Sequence, residues 1–331
     1  MKLLLVRLGA LGDIVHGLPV AAALRERRPD AQIDWLVDAA DQALLGFVPV
    51  LSRRVAVRGR SAAGLLRTIR ALRRERYDVA IDLQGLLKSA ALARLSGAAR
   101  VIGFDRDHVR ERPAASFYTE RCDPGRAAHV VDQNLALLGQ LGMSDRARRF
   151  PLAVPASPAL DAVAGRVRAE GRAGFALINP GAAWPNKRWR PESFARVAAW
   201  IREAHDLLPV VLWGPGERPL AERAAAGSGG AAMVAPPTGI GDLLALGQRA
   251  RLMLSGDTGP LHVAAAVGTP IVGLFGPTDP ARNGPWDAAD LVLSRHDDCV
   301  CRYERRCRRE RACVWDIAVE EVEAAIGRRL R

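Results

Sequence analysis

The chain has almost no lysine: of its 48 basic residues, only Lys2, Lys88 and Lys187 are not arginine. Aromatic residues are also few, at 5%, and no recognisable nucleic-acid-binding module is present. A nucleic-acid partner is therefore disfavoured in spite of a net charge of +12. No apolar run reaches the roughly 18–20 residues that a membrane-spanning helix needs. The opening Met1-Lys-Leu-Leu-Leu-Val-Arg7 is basic and then apolar, but it is too short for a secretory signal and ends in a glycine turn. It reads as a first buried strand, and the expectation is a soluble or peripheral protein kept in the cytoplasm. The dinucleotide fingerprint G-x-G-x-x-G is missing as well. Asp38 follows the second strand where a ribose ligand would sit, but Gly9-x-x-Gly12 has the wrong spacing, which sets a dehydrogenase aside.

What charge there is lies unevenly. Residues 1–150 carry 25 basic against 16 acidic residues, a net +9, and residues 151–331 carry 23 against 20, a net +3. Within the second half, Arg302 to Arg311 alone holds six arginines against two glutamates. A basic first half suits an anionic partner such as acidic lipid or a phosphorylated, carboxylated glycolipid. An arginine excess that is merely solvated surface is the equal alternative. In a chain that otherwise writes its cations as arginine, a lysine inside a motif suggests a need for a compact ammonium.

At 331 residues, two α/β domains are the prior, and the pattern supports them. Short apolar strands alternate with helical stretches at Ile14–Arg28, Leu65–Arg76, Leu86–Leu95 and Val130–Leu141, as in parallel sheets with crossover helices. The proline-rich stretch Gly142–Pro158 is the best linker, dividing the chain into residues 1–150 and 151–331. The most informative segment runs from Ser255 to Pro280. An apolar strand ends in Ser255-Gly-Asp-Thr-Gly259, an alanine-rich helix follows with Pro260 at its first position, and a second strand spans Ile271–Phe275. Ligands of open α/β sheets sit at such strand ends, and the free N–H groups that start the helix suit a phosphate.

Read together, four segments resemble glycosyltransferase family 9, the ADP-heptose:lipopolysaccharide heptosyltransferases. They are Arg7-Leu-Gly-Ala-Leu-Gly-Asp13 with Ile14-Val-His16, Asp82-Leu-Gln-Gly-Leu-Leu-Lys-Ser89, Asn179-Pro-Gly181 with Asn186-Lys-Arg-Trp189, and the Ser255 segment. Arg110-Glu111 and Ala115-Ser-Phe-Tyr118 are most similar to the first heptosyltransferase of the pathway. The resemblance implies two facing doubly wound, Rossmann-like domains in the GT-B arrangement, the first for the acceptor and the second for the nucleotide sugar. It implies an inverting, metal-independent transfer of heptose from ADP-heptose to a Kdo–lipid A inner core, on the inner face of the cytoplasmic membrane. A heptosyltransferase II-like acceptor, a nucleotide-sugar epimerase and a non-catalytic polyanion-binding protein are the alternatives.

The resemblance also suggests roles. Asp13 would take the proton from the acceptor hydroxyl, although a carboxylate at a helix start is also a good cap. Lys187 would meet the donor diphosphate and stabilise its growing charge. Thr258 and the Gly259 N–H would bind phosphate, with Gly12 keeping the first turn thin and Asp257 holding heptose hydroxyls. Glu217 would hold the ribose, and His262 would support the loop or simply pack. Arg58, Arg60, Gln84, Lys88 and Arg110 would face the anionic acceptor. The tail adds Cys299, Cys301, Cys307 and Cys313 amid arginines, a spacing that suggests a structural zinc site, with reduced thiols or a labile disulfide as the alternative.

Overall fold

The structure, a computed structural model, describes residues 1–59, 61–144 and 147–331. It divides into two compact units, Met1–Ala153 and Val154–Arg331. Arg60 lies outside the described residues.

The first unit runs β1 (Lys2–Val6), α1 (Leu11–Arg27), β2 (Gln32–Asp38), β3 (Arg53–Val57), α2 (Ala62–Glu75), β4 (Val79–Asp82), α3 (Leu87–Leu95), β5 (Arg100–Phe104), β6 (Glu120–Cys122) and α4 (Val130–Ala136). The strands form one parallel sheet in the order β3-β2-β1-β4-β5-β6. Leu3 to Val6 are fully buried in succession, with no alternation, because both faces of a parallel sheet are covered. Gly17 in α1 faces the ring of Trp35, where a Cβ would stand 2.8 Å from it. A glycine is therefore what lets this helix pack closely on β2.

The second unit runs α5 (Pro158–Ala169), β7 (Gly174–Asn179), α6 (Pro191–His205), β8 (Leu207–Val211), α7 (Arg218–Gly227), β9 (Met233–Val234), α8 (Ile240–Arg249), β10 (Leu252–Gly256), α9 (Gly259–Ala266), β11 (Ile271–Phe275), α10 (Pro280–Asn283), β12 (Leu291–Ser294) and α11 (Val319–Arg329). Its sheet, also parallel, has the order β12-β11-β10-β7-β8-β9. Counted from its own first strand, this is the same order as in the first unit. Each sheet therefore has one switch point where the direction of winding reverses: β1/β4 in the first unit and β7/β10 in the second. The crevice at the carboxyl ends of such a strand pair is where doubly wound sheets bind ligands.

Three local expectations change. The linker stretch already contains the start of α5: Ser157 caps it, its Oγ accepting from the Leu160 N–H at 3.0 Å, and Pro158 takes the first helical position. The helix expected over Val130–Leu141 is α4 followed by a tighter 3-10 turn, Leu137–Leu141. Helix α9 begins at Gly259, so Pro260 is its second residue rather than its first.

Candidate functional sites at the two switch points

In the first unit, β1 delivers the chain into α1 through Gly9. Asp13 lies in the first turn of α1, but the N-cap is Ala10 and no side chain caps the helix. Asp13 is therefore free of the capping role that its position suggested. Its Oδ1 instead receives Nη2 of Arg7 at 2.6 Å. Arg7 is buried, and its Nη1 donates to the Leu83 carbonyl at the end of β4. One arginine thus ties both strands of the switch point to Asp13. Gln84 closes the same junction, its Oε1 accepting from the Leu8 N–H at 2.9 Å.

Two further carboxylates crowd this end of the sheet. Lys88 at the start of α3 pairs through Nζ with Asp38 at the end of β2, at 3.1 Å. Asp41 leans over Gly9, where a Cβ would stand 2.3 Å from its Oδ2. Burial pushes the Asp41 carboxyl above its ordinary value, and the charges of Asp38 and Asp13 push it the same way. The structure so brings Gly12, Asp13, Gln84 and Lys88 to one switch point. Arg58 follows β3 and Arg110 follows β5, both exposed at the same end of the sheet. Beneath them Asp82 is fully buried, and burial raises its carboxyl although Gln84, Tyr118 and Ser89 donate to it.

The sequence also carries an Asp-x-Asp pair, Asp105-Arg106-Asp107, directly after β5. Ligand atoms of Asp105, His108 and Asp123 lie within 4.8 Å of one another. Asp105 is spent on its own turn, however. Its Oδ1 accepts from the backbone N–H groups of Asp107 and His108, and it pairs with His108 Nδ1 at 2.8 Å.

The second unit presents a drier arrangement. Asn179 ends β7 and donates from Nδ2 to Ser255 Oγ and Thr258 Oγ1, both at 3.0 Å, which locks β7 to the turn after β10. Asp257 in that turn is 7% exposed. Its Oδ2 accepts from Lys187 Nζ at 2.5 Å and from Thr278 Oγ1 at 2.7 Å, and its Oδ1 meets His262 Nε2 at 3.1 Å. Burial alone would raise this carboxyl. The His262 hydrogen bond and the Lys187 charge overcome that and hold it well below the carboxylate range. Lys187 ends a single 3-10 turn, Pro185–Lys187, and its ammonium also lies 4.5 Å from the centre of the Trp184 ring. The turn can cross β10 this closely because residue 256 is glycine, whose Cβ would stand 2.8 Å from the Lys187 carbonyl oxygen.

Glu217 precedes α7 and sits over Gly181, where a Cβ would stand 2.1 Å from its Oε2. The Asn179-Pro-Gly181 turn and the Trp213–Glu217 loop are thereby brought together. Thr258 precedes α9 without capping it, and the Gly259 N–H opens that helix. The structure gathers Lys187, Glu217, Asp257, Thr258, Gly259 and His262 in one unit, around or beside the β7/β10 switch point. Sequence reasoning missed Arg7, Asp41 and Thr278. Arg7 and Thr278 lay inside motifs already singled out, but nothing in spacing says which side chains pair. In the tail, the thiols of Cys299 and Cys313 stand 3.0 Å apart and those of Cys301 and Cys307 3.5 Å apart, in a single packed cluster.

Two parallel sheets of the same winding, each with polar groups at its switch point, define a doubly wound α/β protein of two units. A profile of glycosyltransferase family 9 (heptosyltransferase) matches residues 65–312, and the chain belongs to that family. It is 32% identical to lipopolysaccharide heptosyltransferase 1 of Pseudomonas aeruginosa, over 93% of this chain and 87% of that one. Among solved structures, a family 9 glycosyltransferase from Veillonella parvula superposes with a TM-score of 0.81 at 24% identity, covering 99% of this chain and 97% of that one. The Escherichia coli heptosyltransferase WaaC with ADP superposes with a TM-score of 0.74 at 23% identity, with the same coverage. The protein is a glycosyltransferase.

Proposed function

We propose that this heptosyltransferase of lipopolysaccharide core biosynthesis moves heptose from ADP-heptose to a Kdo–lipid A inner core, with inversion at the anomeric carbon. The observation that carries this reading is Lys187, an ammonium held 2.5 Å from a buried carboxylate in the turn that opens α9. A cation fixed there needs no reorganisation when negative charge grows on a departing diphosphate. The pair Asp257 and Thr278 acts as its mount. Thr258 and the Gly259 N–H take phosphate oxygens at the helix start, and Glu217 takes the ribose.

At the other switch point, Asp13 accepts the proton of the acceptor hydroxyl as that oxygen attacks C1 of the heptose. The bond from C1 to the diphosphate oxygen breaks, and ADP leaves. Arg7 fixes one carboxylate oxygen and so orients the other; it is a positioning residue. Arg58, Arg60, Gln84, Lys88 and Arg110 are assigned to the anionic acceptor, with Lys88 held by Asp38 until the acceptor arrives. The reading assigns no step to a metal. Among the described residues no helix is long and apolar enough to cross a membrane, and the +9 of the first 150 residues suits peripheral attachment to an anionic surface.

The test is ADP release from ADP-heptose with and without deacylated Kdo–lipid A. Acceptor-dependent release with a new glycoside supports the reading. Release of free sugar without acceptor identifies an epimerase-like activity instead, and dependence on an already heptosylated core identifies a later transfer.

A further inference from the structure

The segment between β12 and α11 holds six arginines within ten residues and, among the described residues, no helix or strand until the 3-10 turn Cys313–Asp316. Such a stretch has little to bury. Up to Arg311 what it buries is sulfur: Cys299 and Cys301 are at most 4% exposed and form a cluster with the buried Cys313, with Cys307 packed against it, and only from Ala312 onward does the chain rejoin the main core. The sulfurs stand in two pairs, at 3.0 and 3.5 Å, too far apart for S–S bonds of about 2.04 Å. Four thiolates around one zinc, at about 2.3 Å each, stand ~3.8 Å from one another. No three of them yet lie mutually within 4.8 Å, so the two pairs would have to close a little around an ion. The Arg308 backbone N–H already donates to Cys301 Sγ at 2.9 Å.

The cluster does not hang free of the rest of the unit. Asn186 Nδ2 donates to the Glu304 carbonyl at 2.8 Å, and Trp315 Nε1 donates to the Arg188 carbonyl at 2.7 Å. The tail thus grips the residues on both sides of Lys187. The Tyr303 N–H donates to the Pro277 carbonyl at 2.9 Å, next to the Thr278 that holds Asp257. Gly276 passes so close that a Cβ would stand 3.2 Å from Cys313 Sγ.

We propose that Cys299, Cys301, Cys307 and Cys313 bind one zinc ion, and that this ion braces the Lys187 turn from behind. A tetrathiolate set is closed, so the ion is structural and leaves no position for substrate. It replaces the apolar core that the arginine-rich segment lacks, and its binding free energy becomes folding free energy of the tail. The bracing role rests on the assignment of Lys187 to the donor; the metal site does not.

The full chain, expressed without added metal and purified without chelator, is expected to contain about one zinc per chain by elemental analysis. Cys301→Ser and Cys307→Ser should lose the zinc, and the affinity for ADP, read by calorimetry, should fall about tenfold. Should those variants fail to fold, the wild-type chain supplies the second reading. Stepwise thiol modification should release zinc, lower the unfolding temperature and weaken ADP binding together. Stoichiometric iron, four freely titrating thiols without metal, or two disulfides by mass spectrometry would each overturn the zinc site. Zinc loss with unchanged ADP affinity would overturn the bracing. Failure of the zinc-loaded wild type to bind ADP counts against the donor assignment and leaves the metal content as an independent result.

Discussion

The two units wind their strands in the same order, yet their switch points handle charge in opposite ways. At β1/β4 the central group is an acid, Asp13, about a third exposed, with a buried arginine behind it. Two more acids, Asp38 and Asp41, stand nearby. At β7/β10 the central group is a cation, Lys187, only 14% exposed, clasped by a carboxylate buried still deeper. Topology therefore fixes where a site forms, and the turns alone decide its chemistry. An exposed acid suits a group that must meet a hydroxyl and take its proton. A dry, pre-oriented cation suits one that must stabilise charge at the moment it appears.

The largest effect expected from breaking this contrast is at Asp13. Asp13→Asn keeps the shape and the Arg7 contact but cannot take a proton. Single-turnover transfer should fall on the order of 10²–10⁴-fold while ADP affinity stays unchanged. Near wild-type turnover would remove Asp13 from the chemistry.

Next is Lys187. Lys187→Ala should lower turnover about 10²–10³-fold and also weaken ADP binding, since the cation meets the diphosphate in both states. It leaves Asp257 buried without its cation, and breaking a buried pair costs about 3–5 kcal/mol. Lys187→Arg should recover stability and binding more than rate, because a planar guanidinium cannot fill the place of a compact ammonium beside Trp184. Full activity in both variants would take Lys187 out of the site.

The same contrast can be read through pH. Asp257 has its carboxyl lowered from 3.8, so the native state binds fewer protons there than the unfolded chain. Its stabilisation is complete above pH 3.8 and is lost as the pH falls below that value. Asp41 has its carboxyl raised from 3.8, so ionising it costs stability, and that cost appears as the pH rises through the raised value. Asp41→Asn should therefore raise the unfolding temperature at neutral pH and converge on wild type near pH 3.8. Asp257→Asn should lower it at neutral pH and converge only in stronger acid. Parallel curves for the two variants would mean that the switch points are not charged in opposite senses.

Much of this was legible in the sequence, and the reason differs by feature. The strands showed because parallel strands covered on both faces read as unbroken apolar runs, as Leu3–Val6 and Ile271–Phe275 do. Motif residues such as Gly256 and Gly181 were visible as glycines, but the close approaches that require them, by Lys187 and Glu217, are tertiary facts. Helix α5 was hidden by its own punctuation. Ser157-Pro158 reads equally as linker and as the cap and first residue of a helix, and only packing against α8 and β7 decides between them. The pairs Arg7–Asp13 and Thr278–Asp257 were not legible at all, because they join groups whose meeting depends on side-chain direction within a folded turn.

The smallest expected effect separates the two switch points most cleanly. A Cβ on residue 181 would stand 2.1 Å from Glu217 Oε2, and one on residue 9 would stand 2.3 Å from Asp41 Oδ2. In both cases the obstacle is the far end of a flexible side chain, so neither Gly181→Ala nor Gly9→Ala should unfold its unit. Each instead displaces one carboxylate. Gly181→Ala swings Glu217 away from the place assigned to the ribose, and loss of one such hydrogen bond, about 1 kcal/mol, corresponds to roughly a fivefold weaker ADP affinity. Gly9→Ala moves an acid beside Asp13 and should change turnover at saturating donor while leaving ADP affinity alone. Calorimetry with ADP and single-turnover transfer on both variants checks the division. If Gly181→Ala binds ADP as tightly as wild type, Glu217 is a loop residue with no part in the nucleotide site.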